Sequence, residues 1–316
     1  MRNGNGAGGA IPRRNETAFL KELAELTRLV EDRLKGLLAV RDVPEHRIYE
    51  SMAYSVAAGG KRIRPVLFLA VGDMLGGKID EMLPYACAME LIHTYSLIHD
   101  DLPAMDNDDF RRGLPTNHRA YGEAMAILAG DALLNRAFEL MLETAMKQGA
   151  DDAGKLSRGI QAAHCMAEAS GVSGMIGGQV MDMEAEGRNL DMHLLDRMHR
   201  LKTGALIRAC AVSPAILCGA DDATVEALAG YAENLGLAFQ IRDDLLDVES
   251  TDEVLGKPVG SDERNGKSTF VTLLGLEGAR LALASAGADA LDALGPFGEK
   301  AAFLAELAEF IATRRH

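Results

Sequence analysis

Basic residues are in deficit in this chain of 316 residues: 33 Lys and Arg face 47 Asp and Glu, a net charge of −14. A surface with that balance repels a phosphate backbone or an anionic bilayer, so nucleic acid and membrane surfaces are poor partners. A small anionic substrate stays open, because local charge and metal decide there. No run approaches the eighteen or more apolar residues of a membrane span, so membrane insertion is not expected. Met1 to Asn15 is Gly-rich and polar without an apolar core, which argues against a secretory signal. The charged amphipathic segment after Arg13-Arg14 argues against twin-arginine export. Residues 1–15 read as a disordered tail. The four cysteines, Cys87, Cys165, Cys210 and Cys218, lack metal-site spacing and lie in apolar helical contexts. Reduced core thiols of a cytoplasmic protein fit that placement.

Alternating runs of Val, Ile and Thr are also missing, while Ala, Leu, Glu and Met abound. These are strong helix formers, so the fold class is all-α. The pattern predicts helices over 17–40, 45–58, 64–75, 80–101, 121–148, 153–170, 174–186, 191–218, 222–250, 268–292 and 298–313. Breaks are expected at Gly59-Gly60, Gly76-Gly77, Gly113 to Pro115, Gly149, Gly187, Gly219 and Gly256 to Gly260. No Pro/Ser/Gly linker divides the middle. One helical domain is expected over 16–316, a large bundle with a central cavity between facing helices.

Two aspartate clusters stand out, Asp100-Asp101-Leu102-Pro103-Ala104-Met105-Asp106 and Asp243-Asp244-Leu245-Leu246-Asp247. Each adjoins a strongly apolar run, where an ionised carboxylate must be paired, hydrogen-bonded or metal-bound. Oxygen donors in such clusters suit hard divalent cations, and such cations suit a substrate rich in anionic oxygens, such as a diphosphate. On a helix Asp243 and Asp247 share a face, with Asp244 beside them. Asp100 and Asp106, six apart, would diverge by roughly 240° on a regular helix. Pro103 interrupts that helix near Leu102, and a short turn brings Asp106 back. A single such cluster is weak, since solvated acidic faces produce it. Asp151-Asp152 and Asp221-Asp222 are of that kind, in polar segments between helices.

Cationic groups are few but placed suggestively. Gly59-Gly60-Lys61-Arg62-Ile63-Arg64-Pro65 is a loop entering a helix, with Pro65 suited to the first turn. Lys61, Arg62 and Arg64 lie at the positive end of that helix, against the dipole preference. An anion site would need them there; a solvated basic loop is the plainer alternative. Arg111 and Arg112 follow the first acidic cluster. They suit diphosphate oxygens, or they simply pair with Asp108 and Asp109. Lys202-Thr203-Gly204 interrupts an apolar helix, where a buried lysine needs an anion and a snorkelling one does not. Lys257 and Lys267 bracket a Gly/Asp loop and could be ordinary surface lysines; His93 alone reads as a core histidine.

The order of these segments is informative beyond each one. GGKRIRP, HTYSLIHDDLPAMDNDDFRRGLPTNH, GGQVMDMEAEG, KTGALIRA, GLAFQIRDDLLDV, LGKPVGSD and NGKST follow one another between about residues 20 and 280. The chain resembles the bacterial short-chain trans-polyprenyl diphosphate synthases, those making farnesyl diphosphate above all. The resemblance implies an all-helical isoprenoid-synthase fold, a homodimer and Mg2+ dependence with three ions, Mn2+ being a possible substitute. It implies metal binding by Asp100, Asp101, Asp106, Asp243, Asp244 and Asp247. It places Arg111, Lys202, Thr203, Gln240, Lys257 and Lys267 at an allylic diphosphate, with Lys202 and the aspartates, except Asp247, also counted as catalytic. Gly60, Lys61, Arg64, His93 and Arg112 fall at the isopentenyl diphosphate site. Residues 1–16 and the tail beyond 280 are poorly covered; Arg314-Arg315 matches the basic ending common in the family.

The implied reaction condenses isopentenyl diphosphate with dimethylallyl and geranyl diphosphate through ionisation, condensation and elimination. Metal ions and cations neutralise the leaving group, and an apolar pocket keeps water from the carbocation. Product length should follow pocket depth. Tyr95 lies five residues before Asp100, about 7.5 Å along the helix, where an aromatic can floor the pocket beside Ser96. Farnesyl diphosphate is therefore the expected product, with geranylgeranyl or geranyl diphosphate the alternatives. A terpene cyclase would carry an Asn/Ser/Glu pattern in place of the second cluster, and a regulatory subunit would have lost aspartates. A di-metal oxidase needs paired Glu-x-x-His motifs, and only Glu90 to His93 matches.

Overall fold

The computed structural model describes residues 16–185, 187–188, 190–249 and 268–314. The expected tail at 1–15, the glycine break at 256–260, Lys257, Lys267 and Arg315 lie outside them. Among the described residues the all-α expectation holds, and the helices recur with ends moved by one to four residues, as fraying ends allow.

The chain folds into two compact units. One comprises Glu22–Ser170 with Val212–Ala220. It holds most of α1 (Glu16–Leu37), then α2 (His46–Ala57), α3 (Ile63–Met74), α4 (Ile79–Asp100), α5 (Asn117–Tyr121), α6 (Glu123–Gln148) and α7 (Ala153–Ser170). Helix α4 is its axis. Met82, Tyr85, Cys87, Met89, Leu91, Ile92 and Ile98 point to different sides of it and all are buried, so this helix is apolar all round rather than amphipathic. It packs on α3 and α6. Burial pushes the Cys87 thiol up to about 12, so it is an inert core group.

The other unit comprises the described parts of Met1–Lys21, Gly171–Ala211 and Asp221–His316. It holds α8 (Met175–Ala185), α9 (Met192–His199), the start of α10 (Ala205–Cys218), α11 (Asp222–Glu249), α12 (Phe270–Ala293) and α13 (Ala302–Thr313). Its core includes Leu195, Met198, Ile241, Leu245, Phe270 and Ala279. Fully buried Tyr231 on α11 donates to the Leu304 carbonyl at 2.7 Å, and Phe19 packs on Phe303 with centroids 5.2 Å apart.

Three features depart from expectation. A two-stranded hairpin, β1 (Phe110–Arg111) against β2 (Leu114–Pro115), pairs Phe110 with Pro115. It is too short to leave a period-2 pattern in the sequence. A short helix not expected from the sequence, α5, precedes the one expected from residue 121, which starts at Glu123 because Gly122 takes φ 89°, a conformation glycine adopts without strain. The helix expected over 191–218 contains a π turn at Arg200–Gly204. Met192–Cys218 and Phe270–Ala293 are long and apolar enough, by length and composition only, to cross a membrane. The expectation concerned an unbroken apolar run, and charged residues such as Arg208 and Arg280 interrupt both segments. Alanine and leucine raise the mean hydropathy of both without forming an unbroken apolar run.

Candidate functional site

In the unit built around α4, that helix ends at Asp100, two residues earlier than expected from Pro103. The Asp106 amide donates to the Asp100 carbonyl at 2.9 Å, which closes the turn and returns Asp106 to the helix end. Asp101, only 3% exposed, accepts from Arg111 Nε at 2.7 and 3.0 Å and lies 2.6 Å from Arg111 Nη2. Burial raises the Asp101 carboxyl above its ordinary value, and the Arg111 guanidinium opposes that rise. The small hairpin presents both arginines. Arg112, at φ 55°, donates to the Gly59 carbonyl, and its guanidinium lies where a Cβ on Gly60 would be. Arg111 also stands 3.8 Å from Asp108, while Asp109 pairs with Arg119 at 3.0 Å instead.

Arg64 at the head of α3 reaches His93 of α4, Nη1 to Nε2 3.3 Å. A guanidinium only donates, so Nε2 accepts and Nδ1 carries the ring proton. Removal from water holds His93 well below its usual value, and the charges of Arg64, Arg112, Arg111 and Arg62 lower it further. Four cations thus converge electrostatically on one neutral imidazole. Arg62 differs from its neighbours and from expectation. It is neither a loop cation nor an anion-site donor. It points inward at φ 49°, donates to Glu90 and to the Val56 carbonyl at 2.5 Å each, and is buried. Glu90, weighed in the sequence only as part of a Glu-x-x-His match, is its buried counterion. Tyr95 is buried, its hydroxyl without a hydrogen-bond partner among the described residues, and burial raises it to about 12. The Ser96 hydroxyl is turned back to the His93 carbonyl at 2.8 Å.

In the other unit, Asp244 accepts from the Phe270 amide at 2.7 Å and Asp247 is buried, both on α11. Asp243 pairs with Arg314, whose guanidinium also lies over the Phe239 ring at 3.9 Å. The sequence marked Arg314 only by its place in a basic ending. Gln240, one turn before Asp244, bonds His199 Nδ1 at 3.2 Å; His199 stacks on Phe270 with centroids 5.6 Å apart, and burial lowers it to about 4. Lys202 sits on the π turn with Thr203 and pairs with Asp182 of α8 at 2.6 Å. Asp182, inside GGQVMDMEAEG, is a further residue that periodicity alone did not single out. Such π turns insert one residue into a helix and recur at functional sites.

The π turn fits because α8 is bare beside it: a Cβ on Gly178 would stand 2.1 Å from Lys202 N and 2.5 Å from its Cα. Gly178→Ala is expected to displace Lys202 and lower turnover by about a hundredfold, the penalty of a misplacement near 1 Å. Steady-state rates on the folded variant test this, and a rate within twofold of the parent refutes it.

Among the described residues no three His, Cys, Asp or Glu side chains close around a common point as a metal site would. The donors nonetheless fit a hard divalent ion in kind, being carboxylate oxygens throughout. Asp101 and Asp243 each face an arginine, a cation of the sort a metal would replace. By contrast Asp152 and Asp221 accept backbone amides of Lys155 and Thr224 at 2.9 Å each, and cap α7 and α11.

The polyprenyl synthetase family model matches residues 45–289. A farnesyl diphosphate synthase of Micrococcus luteus is 50% identical over 250 residues, 79% of this chain and 83% of that one. A geranylgeranyl diphosphate synthase of Cyanophora paradoxa is 44% identical over 299 residues, 94% and 97% of the two. The apo crystal structure of an FPP/GFPP synthase from Zymomonas mobilis superposes with a TM-score of 0.84 at 36% identity, over 94% of this chain and 99% of the other. With the ordered motifs and the all-helical architecture, these likenesses place the chain in the polyprenyl synthetase family.

Proposed function

We propose that the protein condenses isopentenyl diphosphate with dimethylallyl and then geranyl diphosphate to give (2E,6E)-farnesyl diphosphate. One observation carries the isopentenyl site: Arg64 stands 3.3 Å from His93, on the helix that ends in Asp100-Asp101, and the Arg112 guanidinium lies against Gly60. Positive charge there favours a diphosphate. Gly60, Lys61, Arg64, His93 and Arg112 hold this substrate. Arg111, Lys202, Thr203, Gln240, Lys257 and Lys267 hold the allylic diphosphate. Asp100, Asp101 and Asp106, together with Asp243, Asp244 and Asp247, would hold Mg2+, three ions in all, with Mn2+ as substitute.

Bound divalent ions supply positive charge to the departing diphosphate. The cationic side chains add to that charge and orient both substrates. The allylic C–O bond breaks with its electron pair on oxygen. The isopentenyl double bond then attacks the allylic carbon, and loss of one proton forms the new double bond. The released diphosphate takes that proton, so no protein base is needed.

Tyr95 is the floor of the chain pocket. Its partnerless hydroxyl means that the ring, not the phenol, does this. Tyr95→Phe is therefore expected to keep the fifteen-carbon product and to lose no stability, since it removes a buried unpaired hydroxyl. Tyr95→Ala is expected to shift the product to twenty carbons or more. Chromatography of dephosphorylated products from labelled isopentenyl diphosphate, Mg2+ and either starter measures both. Geranylgeraniol as the main product of the parent protein would keep the reaction and overturn the assigned length. The same assay without condensation would overturn the function.

We further take the protein as a cytoplasmic homodimer without membrane insertion. Leu142 and Met146, one turn apart on α6, are both exposed, which supports a subunit contact there. All four cysteines are free.

A further inference from the structure

Tyr95 does not stand alone on its face of α4. His99, one turn on, meets its ring edge-on, with centroids 5.8 Å apart and planes at 83°. His99 Nε2 lies 3.1 Å from the Ile127 carbonyl of α6. A carbonyl can only accept, so Nε2 carries the proton and the ring's tautomer and tilt are set from α6. Asp131, an exposed residue of α6, lies 3.9 Å from the same nitrogen.

The ring reaches that carbonyl only because position 130 has no side chain. A Cβ on Gly130 would stand 2.1 Å from His99 Nε2, 2.5 Å from Cδ2 and 2.9 Å from Cε1. All three nearest atoms belong to the imidazole. Real Cβ atoms do not approach so closely, and the ring is not the far end of a flexible chain. Gly130 is therefore a socket shaped for His99. Tyr95, in turn, has no hydrogen bond from its hydroxyl. Its ring is held by packing alone, and the edge of His99 is the directional contact in that packing.

We propose that His99, seated in the Gly130 socket, is a positioning residue that fixes the Tyr95 ring and through it the length of the product. The proposal rests on the assignment of Tyr95 as the pocket floor. His99 would act on specificity, through a neighbour, without touching the growing chain.

The test is the product distribution, read from whatever fraction of protein is active, of Tyr95→Ala, His99→Ala, Gly130→Ala and the double variant Gly130→Ala/His99→Ala. His99→Ala creates no clash and frees the Tyr95 ring. Its ratio of twenty- to fifteen-carbon product is expected to rise about fivefold, the factor corresponding to loss of one aromatic edge contact. Gly130→Ala is expected to change the distribution in the native background and to have no further effect once His99 is alanine, because the three atoms nearest its new methyl all belong to that ring. Loss of stability alone would slow turnover without moving this ratio. If Tyr95→Ala lengthens the product while His99→Ala and Gly130→Ala leave it unchanged, the socket proposal fails and the floor stands. An equal effect of Gly130→Ala in both backgrounds also refutes it. If Tyr95→Ala leaves the product unchanged, the floor and the socket fail together.

Discussion

Asp106→Ala is expected to lower turnover about a thousandfold, the upper range for removing one preorganised charge-stabilising group, and to leave stability within about 0.5 kcal/mol. The two effects separate because of how the turn is built. Asp106 returns to the end of α4 through its backbone amide, which bonds the Asp100 carbonyl and survives the substitution. Its carboxylate is exposed, so no buried partner is stranded. Asp101 is the contrast. Its carboxylate is buried and takes three short contacts from Arg111, so Asp101→Ala strands a guanidinium and should lose stability along with activity. Rates measured across a Mg2+ titration, beside thermal unfolding of both variants, test the pair. Asp106→Ala with parental turnover at low Mg2+ would remove Asp106 from the metal ligands.

What the sequence made legible is what local physics encodes. Glycine positions and the 3.6-residue period place nearly every helix, and Pro103 forecasts the turn that recovers Asp106. The Asp243 to Asp247 spacing puts that cluster on α11. Other parts are invisible locally because they join residues far apart. Arg62 and Glu90 are 28 residues apart, and nothing in either segment marks the pairing. The same holds for Asp182 with Lys202 and for Arg314 with Asp243, 71 residues apart. The π turn at Arg200–Gly204 hides for a different reason. It lies between α9 and the apolar start of α10, and one added residue there leaves a run that still looks helical. Socket glycines such as Gly130 and Gly178 look in sequence like weak points of a helix. Only the neighbouring element reveals that a side chain or a backbone fills the space.

Glu90→Leu is expected to destabilise the fold by about 3 kcal/mol, the lower end for breaking a buried ion pair by removing one partner. The side chains of Arg62 and Glu90 are each 2% exposed, so the arginine left behind keeps its charge away from water. The value sits at the low end because Arg62 retains the Val56 carbonyl and a looser contact to Glu31 at 3.6 Å. Replacing both, as Arg62→Met with Glu90→Leu, removes the stranded charge and should recover part of the loss. It cannot recover all of it. The Val56 carbonyl loses its donor, and methionine must take up a φ of 49° that side chains other than Gly, Asn and Asp rarely adopt. Denaturant unfolding should therefore rank the parent above the double variant and the double variant above Glu90→Leu. A double variant less stable than Glu90→Leu would mean that Arg62 matters for its bond to Val56 rather than for its charge. The consequence reaches the site. Arg62 turns the chain between Gly60-Lys61 and Arg64, so its anchorage decides where those cations are presented. Glu90→Leu should raise the KM for isopentenyl diphosphate more than that for the allylic substrate, because the anchored loop carries Gly60, Lys61 and Arg64, proposed for the isopentenyl site, and none of the residues proposed for the allylic diphosphate.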